Sequence, residues 1–358
     1  MKKIIAVLLA VMLVTTMVYG ADKKPKAKKI TLKVWESEGP EKDFMLWAAT
    51  EFKKQYPEYS KLTIVYEPVG SVDSRAKIEL DGPAGVGADI FVAPHDHIGA
   101  LVNGGHVLEN TDPAFRTSFV NAAIIAGTYK GKTYGYPLGI ESIVLFYNKD
   151  LVKTPPKTWD EVVAFAKTFN NKAQNKFAIA WPVADAYYDY IFMGGFGAQL
   201  FGPNGNDRKQ HNINSANAVA GLKYFQYLRK TILDVPSADV SADFCTSSFV
   251  EGKCAMLIAG PWKFSDFTKA NVNFGVTTIP SFPGQANPAT TFSGVRLAFV
   301  SAYTNYPEEA GAFARFLTSK VALEKRFAMT KQIPPRKDIT INDPLSNGVL
   351  QQAGFATP

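Results

Sequence analysis

Apolar, strand-like segments alternate with amphipathic, helix-like segments along this chain, and they do so in two series. The first series opens with "ITLKVWE" and the second with "KTWDEVVAFAKTF". Alternation of this kind predicts an α/β fold in which helices cover both faces of a mostly parallel sheet. A chain of 358 residues is longer than one hydrophobic core usually serves, so each series is expected to form its own lobe.

Two extended, apolar runs connect these series, and one charged residue interrupts each run. Glu141 interrupts "YPLGIESIVLFYNKD", and Arg296 interrupts "NPATTFSGVRLAFVSAY". Because an ionised carboxylate is costly to remove from water without partners, Glu141 predicts that the first run borders a wet cleft. Arg296 either faces the same cleft or lies at a lobe edge with its charged end in water. Strands that cross between two lobes account for both runs.

The N-terminus predicts export. Lys2 and Lys3 precede an uncharged apolar run from Ile4 to Val18, and small residues follow it, which is typical of a secretory signal peptide over residues 1–20. The run is too short to favour a membrane anchor. Residues 21–29 form a basic linker that carries much of the formal charge of +7. No face that combines aromatic and basic residues recurs later, so a nucleic-acid partner is not expected.

The only two cysteines, Cys245 and Cys254, lie close together in "CTSSFVEGKC". An oxidising compartment would permit a disulfide that closes this short loop, and the sequence leaves the pairing open. A catalytic thiol is not expected, because no histidine lies near either cysteine.

Catalytic and cofactor motifs are absent from the sequence. There is no HExxH, GxSxG, P-loop or CxxC pattern, so neither an enzyme nor a cofactor is predicted. The segment "PHDH" (His95, Asp96 and His97) allows three interpretations: metal ligands, polar contact with a bound ligand, or helix capping by Asp96. Metal binding is the least favoured of the three, because side chains two residues apart converge on one ion only in special backbone shapes.

Aromatic residues follow several predicted strands, among them Trp181, Tyr187, Tyr188 and Trp262. An aromatic ring covers the C–H face of a pyranose, while carboxylates accept its hydroxyl protons, so this combination suits a sugar. The alternative is that these rings belong to the core. Trp262 is the strongest candidate, because "AGPW" places it in the first helical turn after a buried strand, where α/β proteins bind ligands.

Four segments together resemble the periplasmic solute-binding proteins of ABC importers, in particular the maltose/maltodextrin-binding branch. They are "YPLGIESIVLFYNKDL", "PPKTWDEV", "FVEGKCAMLIAGPW" and "VNFGVTTIPSFPG", and the resemblance extends from about Lys29 to about Pro335. It implies a two-lobe periplasmic-binding-protein fold with crossing hinge strands, a ligand held between the lobes, and a monomer whose closed form docks on an inner-membrane permease. The expected lobes are residues 30–139 with 297–332, and residues 140–296 with 333–358.

The resemblance also implies roles for single residues. Glu141 corresponds to a hinge-strand glutamate that accepts sugar hydroxyls, Asp96 to a cleft aspartate, and Trp262 to an aromatic residue that stacks on a glucosyl ring. His97 stands where an arginine is usual, and Ala93 replaces a stacking tryptophan.

Two further family positions have changed, and the chain ends early. Gly39 replaces an aspartate for which Glu36 or Glu38 could substitute. Ala184 replaces an acidic ligand, which leaves Asp185 and Tyr187 as the nearest candidates. Family members usually continue beyond "GFATP" with further helices, so the C-terminal end is expected to be incomplete.

The sequence therefore predicts an exported, periplasmic binding protein for maltodextrin-like oligosaccharides. Two alternatives remain: a binding protein for another solute (a different oligosaccharide, a polyamine or a metal), and an exported glycoside hydrolase that uses Glu141 with Asp96 as its carboxylate pair.

Overall fold

The computed structural model of the chain describes residues 29–202 and 207–357, so the predicted signal peptide lies outside the described residues. The strands are β1 (Thr31–Glu36), β2 (Thr63–Pro68), β3 (Ile90–Pro94), β4 (Thr128–Tyr129), β5 (Lys132–Thr133), β6 (Tyr136–Ser142), β7 (Val144–Asn148), β8 (Phe177–Ala180), β9 (Cys254–Ala259), β10 (Phe274–Thr277), β11 (Thr291–Val300) and β12 (Ala356–Thr357). The helices are α1 (Pro40–Gln55), α2 (Ser74–Asp81), α3 (Ile98–Asn103), α4 (Phe115–Ser118), α5 (Asn121–Ala126), α6 (Trp159–Phe169), α7 (Ala186–Gly194), α8 (Ala216–Thr231), α9 (Ala242–Val250), α10 (Phe264–Lys269), α11 (Pro307–Leu317), α12 (Lys320–Thr330) and α13 (Pro344–Ala353).

Two main sheets form the two lobes. The first has the order β12–β11–β3–β1–β2, with β6 also paired to β11, and the second has the order β10–β7–β9–β8. Pairs β1–β2, β1–β3, β8–β9 and β11–β12 are parallel, whereas β11 runs antiparallel to β3 and β6, and β7 runs antiparallel to β9 and β10. The two-lobe α/β prediction is confirmed, but the sheets are mixed and not mostly parallel. Strands β7 and β11 are each preceded by an extended segment and not by a crossover helix. A crossover helix brings the chain back for parallel pairing, whereas these extended segments permit antiparallel pairing.

Three extended segments run side by side between the lobes. Strand β6 belongs to the first sheet and leads directly into β7 of the second, and β11 pairs with β6 so that Gly294 lies opposite Glu141. The third segment follows α12, where Ile333 forms an antiparallel bridge with Ile140 through an N–H···O bond of 2.8 Å. Strand β6 also contains one extra residue at Leu138, since Arg296 pairs with Gly139 but Leu297 pairs with Pro137.

The hydrophobic core divides between the lobes. Two clusters of buried side chains draw on residues 32–138 and 295–323, and they pack around the first sheet. A separate cluster draws on residues 143–289 together with Ile333 and Val349, and it packs around the second sheet. The predicted boundaries near residues 139, 296 and 332 stay a prediction, which this division of the core supports.

Helix ends follow local sequence signals. Thr158 caps α6 by accepting a hydrogen bond from the Glu161 N–H (3.2 Å), as the capping-box spacing predicts. Helix α11 occupies Pro307–Leu317 and begins at Pro307, as predicted by the preference of proline for the first helical turn. The helix expected from Pro261 instead opens as a single 3-10 turn, Pro261–Lys263, before α10 begins.

Both cysteines are buried and unpaired in this structure. Burial raises the pKa of Cys245 to about 12, so its thiol is protonated and unreactive near neutral pH. Within the described ranges, no helix combines the length and the apolar character that a membrane crossing requires.

Asp189 on α7 makes the stability of the second lobe dependent on pH. Its Oδ1 accepts a hydrogen bond from the Trp181 indole (3.1 Å), and burial raises its pKa from 3.8 to about 7 although this bond lowers it. An acid with a raised folded-state pKa keeps its proton at pH values where the unfolded chain has lost it. The free energy of unfolding therefore falls as the pH rises from 3.8 to about 7.

We expect Asp189→Asn to increase the free energy of unfolding at pH 8 and to increase it less at pH 5, because the amide keeps an acceptor for Trp181 without the buried charge. Urea unfolding at both pH values measures this difference. Asp234→Asn, which changes an exposed carboxylate of the same lobe, is the matched control. An equal gain for Asp189→Asn at both pH values would contradict the assignment.

Candidate functional site

Glu141 lies where the three crossing segments meet, and its charge is compensated by protein groups. The residue is 8% exposed, and its Oε1 accepts hydrogen bonds from Arg296 Nε (3.0 Å) and Gln332 Nε2 (2.8 Å). The neighbouring crossing segments thus bring two donors to this carboxylate, and the wet cleft that the sequence predicts beside it stays a prediction. Neither of these bonds uses Oε2, so that oxygen can accept a proton from another donor.

Arg296 pairs with Glu141 across the two crossing strands. Its Nη1 also donates to Ser37 Oγ (3.3 Å) and lies 3.5 Å from Glu36 Oε1. Burial lowers the pKa of Arg296, but the nearby carboxylates outweigh burial and raise it overall. Arg296 is therefore a largely enclosed, charged partner of Glu141 whose side chain is 12% exposed, and the alternative of an arginine at a lobe edge is wrong.

The pairing extends into a buried network, here called the hinge cluster. Its members are Glu36, Glu41, Glu141, Arg296, Arg326 and Gln332. Arg326 donates from Nη2 to Glu36 (3.1 Å) and from Nε to Gln332 Oε1 (2.8 Å), while Gln332 Nε2 donates to Glu41 (3.0 Å). The cluster thus joins β1, α1, β6, β11, α12 and the third crossing segment.

The hinge cluster contains three carboxyl groups and two guanidinium groups. Burial and the charge of Glu36 raise the pKa of Glu41, although Arg326 and Arg296 lower it in part. Arg326 is 0% exposed, its guanidinium lies 5.1 Å from the ring centroid of Phe44, and its Nη1 has no hydrogen-bond partner. The cluster is therefore tightly enclosed, and Glu41 takes up a proton at a higher pH than an ordinary glutamate does.

The two acids expected to replace the family aspartate differ in exposure. Glu36 is 0% exposed and binds two arginines, so this structure gives it an internal role and not the predicted ligand contact. The Glu36 carboxylate at the end of β1 points into the lobe and pairs with Arg326. The sequence alone does not reveal this pairing. Glu38 is exposed in the following loop, where its charge adds to the effect of burial and raises the pKa of Tyr66 to about 12.

The pKa of Tyr187, on α7, depends on carboxylates that lie on and beside the first sheet. Tyr187 lies in the first turn of α7, and burial, Glu141 and Asp96 all raise its pKa. Glu141 and Asp96 come from β6 and from the turn after β3, so the charges of two predicted site residues act on the Tyr187 hydroxyl. The Tyr187 ring also stacks on Phe292 of β11, with centroids 5.7 Å apart.

Trp262 lies in the 3-10 turn after β9 and is half-buried. Its ring covers Gly260, where an added Cβ would lie 2.1 Å from a ring atom, so only glycine fits beneath it. Burial raises the pKa of Tyr188, and a hydrogen bond with Trp262 opposes this effect. Since the Tyr187 and Tyr188 rings meet edge to face at 5.7 Å, Trp262 is connected to the Glu141 region through tyrosines. Trp181, in contrast, is a 0% exposed core residue.

The remaining predicted residues lie at the edges of this region. Asp185 is exposed and caps α7 by accepting a hydrogen bond from the Tyr187 N–H (2.9 Å). Asp96 is exposed in the single turn His95–His97 and caps neither this turn nor α3. His97 is half-buried, burial lowers its pKa, and its Nδ1 is buried without a hydrogen-bond partner. The capping interpretation of Asp96 is therefore wrong, and His97 retains an unused ring nitrogen.

In residues 29–202 and 207–357, no group of three or more His, Cys, Asp or Glu side chains is arranged to hold a metal ion. Cavities of about 230 Å³ and about 550 Å³ lie elsewhere. The smaller includes Lys33 and Tyr303 in its lining, the larger includes Lys172 and Arg229, and neither contains a residue of the candidate site.

Sequence reasoning missed Glu41, Arg326, Gln332 and Phe292. The first three are polar residues in or beside helices, where solvent exposure is the ordinary expectation. Phe292 carried a usable signal, because it is an aromatic residue at the start of a crossing run.

Comparison with known families agrees with this architecture. The model for the bacterial extracellular solute-binding proteins matches residues 47–350. The chain belongs to this family. The family description places the solute-binding protein outside the cytoplasm.

Its relatives include several oligosaccharide-binding proteins. The maltodextrin-binding protein of Bacillus subtilis is 31% identical over 333 residues, 88% of this chain and 77% of the relative. The galactooligosaccharide-binding protein of the same organism is 30% identical over 350 residues, which cover 94% of this chain and 81% of the relative. Both are named as binding proteins and not as enzymes.

Solved structures of oligosaccharide-binding proteins also resemble this chain. A cyclo/maltodextrin-binding protein complexed with maltotetraose aligns with a TM-score of 0.76 and 34% identity, covering 94% of this chain and 88% of the other. A Streptococcus pneumoniae protein in complex with maltopentaose aligns with a TM-score of 0.83 and 27% identity, covering 91% of this chain and 88% of the other. This solute-binding protein therefore shares the two-domain fold of proteins crystallised with oligosaccharides.

The Arg326–Glu36 pair is expected to be essential for stability. Arg326→Met removes the closer of the two arginines from the fully buried Glu36, which keeps the Ser37 N–H bond (2.9 Å) and the longer contact to Arg296, so the free energy of unfolding should fall by about 3 kcal/mol. Chemical denaturation measures this loss. Adding Glu36→Gln to Arg326→Met should recover part of it by removing the unpaired charge, and a further loss in the double variant would contradict the pairing.

Proposed function

We propose that this protein is the sugar-binding subunit of an ABC transporter, which captures maltooligosaccharides between its lobes and delivers them to a membrane permease. The observation that carries the proposal is the arrangement of Glu141. Arg296 and Gln332 hold its Oε1, while Tyr187 and Asp96 approach the same region. The relatives named for maltodextrin binding and the structures solved with maltotetraose and maltopentaose support this choice.

Each candidate residue has a chemical role in this proposal. Glu141 Oε2 and Asp96 accept hydroxyl protons of the sugar, and the half-buried Trp262 offers an aromatic face to a glucosyl ring. His97, Glu38 and Asp185 are polar side chains that line the edge of the site. Because these residues belong to different lobes, a ligand that contacts them together favours the closed arrangement.

A second candidate ligand is a different oligosaccharide. The galactooligosaccharide-binding relative is nearly as similar as the maltodextrin-binding one. Ala93 and Gly39 also lack the side chains that the maltodextrin branch uses at those positions. Calorimetric titration with maltotriose, maltotetraose and a galactotriose series separates the two candidates.

We also propose that the protein is monomeric and periplasmic, and that residues 1–20 direct its export and are then cleaved off. We propose an inner-membrane ABC permease as its partner, and membership of the solute-binding family supports this.

Glu141→Gln should weaken maltotetraose binding at least tenfold, because a hydrogen bond to a charged acceptor contributes about 1.5–3 kcal/mol. Arg296 and Gln332 require an acceptor at Oε1, so the amide NH₂ takes the place of Oε2 and cannot accept a sugar proton. Calorimetry gives the affinity, and thermal unfolding identifies any general destabilisation. Unchanged affinity in a folded variant would rule out this role.

Trp262→Ala should weaken binding about tenfold and remove most of the ligand-induced change in tryptophan fluorescence, since the stacking face is lost. Trp47→Phe is the matched control, because Trp47 packs on Phe316 in the first lobe. If the fluorescence change persists in Trp262→Ala but disappears in Trp47→Phe, Trp262 is not the stacking residue.

A further inference from the structure

We propose that Gln332 is a positioning residue, which holds one oxygen of the Glu141 carboxylate and thereby presents the other to the ligand. The inference rests on the proposed sugar-binding function of Glu141. Gln332 itself is 1% exposed and does not contact the ligand in this proposal.

The Gln332 amide has a single workable orientation. Its Nε2 donates to Glu41 Oε1 (3.0 Å) and to Glu141 Oε1 (2.8 Å), and its Oε1 accepts from Arg326 Nε (2.8 Å). Both N–H groups and the carbonyl are therefore used. A flipped amide would place the carbonyl against two carboxylates and the NH₂ against a guanidinium, so the network determines which way the side chain points.

This orientation fixes the Glu141 carboxylate. Arg296 Nε and Gln332 Nε2 both donate to Oε1, and together they restrict rotation of the carboxylate about its terminal bond. Without Gln332, Arg296 alone holds that oxygen, and a single bond leaves the plane of the carboxylate freer to rotate. The ligand would then meet a carboxylate that has to be ordered on binding, at a cost in conformational freedom.

The backbone places Gln332 beside Glu141. Ile333, the next residue, bridges Ile140, the residue before Glu141, through two backbone hydrogen bonds of 2.8 and 3.3 Å. Gly139 provides the space, because a Cβ there would lie 3.0 Å from Gln332 Cβ and 3.2 Å from its Oε1. The third crossing segment is thus held in register with β6 at the point where the carboxylate emerges.

A neutral amide is the group that this position requires. A glutamate at position 332 would add a fourth carboxyl group to a cluster that contains two guanidiniums. An apolar residue would leave Glu41 and Arg326 short of a partner, which is costly in a buried network. Glutamine binds two carboxylates and a guanidinium at once without adding charge.

The test is a double-mutant cycle with Gln332→Met and Glu141→Ala, measured as maltotetraose affinity by calorimetry at pH 7. Gln332→Met should weaken binding at least about fivefold in the wild-type background and should have no further effect in the Glu141→Ala background. This coupling distinguishes positioning from a general structural role. Equal losses in both backgrounds, or wild-type affinity for Gln332→Met alone, would overturn the inference.

Gln352→Met is the matched control. Gln352 is a 0% exposed glutamine in the second lobe whose amide also makes three hydrogen bonds, to Ile279, Ala289 and Thr291. It should lower the thermal midpoint as Gln332→Met does, yet leave maltotetraose affinity within about twofold of wild type. If it weakens binding as much as Gln332→Met does, loss of stability accounts for both effects and the inference is overturned.

A crystal structure of Gln332→Met separates this inference from the proposed function. If the wild-type protein binds no oligosaccharide, the proposed function fails, but a rotated Glu141 carboxylate in the variant would still support the positioning role. A Glu141 carboxylate that keeps its wild-type orientation in the variant would overturn the positioning role, whatever the protein binds.

Discussion

The ion pair between Glu141 and Arg296 joins the two strands that cross between the lobes, and the other features of the site are arranged around it. A buried ion pair is only marginally favourable unless hydrogen bonds satisfy its remaining donors and acceptors. Here Gln332 donates to Glu141, Arg296 donates to Ser37, and Glu36 lies 3.5 Å from Arg296, while Arg326 binds Glu36 and Gln332 in turn. The same network therefore stabilises the connection between the lobes and orients the carboxylate that we propose binds sugar.

In the proposed function, the hinge cluster would link ligand capture to conformational change. Its members lie on first-lobe elements and on the crossing segments, so a rotation of one lobe against the other would change their geometry. Beyond the cluster, Asp96 near the first sheet acts electrostatically on Tyr187 of α7 and helps to raise its pKa. In the proposed function, a ligand that contacts both Tyr187 and Asp96 would bind beside side chains that the hinge cluster already orders.

Local signals in the sequence were sufficient for much of the fold. The Thr158 cap and the proline at the start of α11 predicted helices that the structure contains. The direction of strands β7 and β11 was not predicted, because pairing direction depends on contacts across the chain. Alternation of strands and helices indicates which layers form, and it leaves the pairing within a sheet undetermined.

The candidate site was predictable where one residue conflicted with its surroundings. A carboxylate in an apolar strand identified Glu141, and an aromatic residue after a buried strand identified Trp262. Gln332 and Arg326 gave no such signal, because Gln332 lies 191 residues from Glu141 and Arg326 lies 290 residues from Glu36. Only the tertiary structure reveals that Glu36 is an internal anion.

The extra residue at Leu138 decides which side chain occupies the crossing. Side chains alternate between the two faces of a strand, so one additional residue exchanges the faces for everything that follows it. Deleting that residue would move Ser142 into the position of Glu141 and turn the acid toward the opposite face. The place of Glu141 in the crossing, and with it the proposed sugar contact, thus depends on a single added residue in β6.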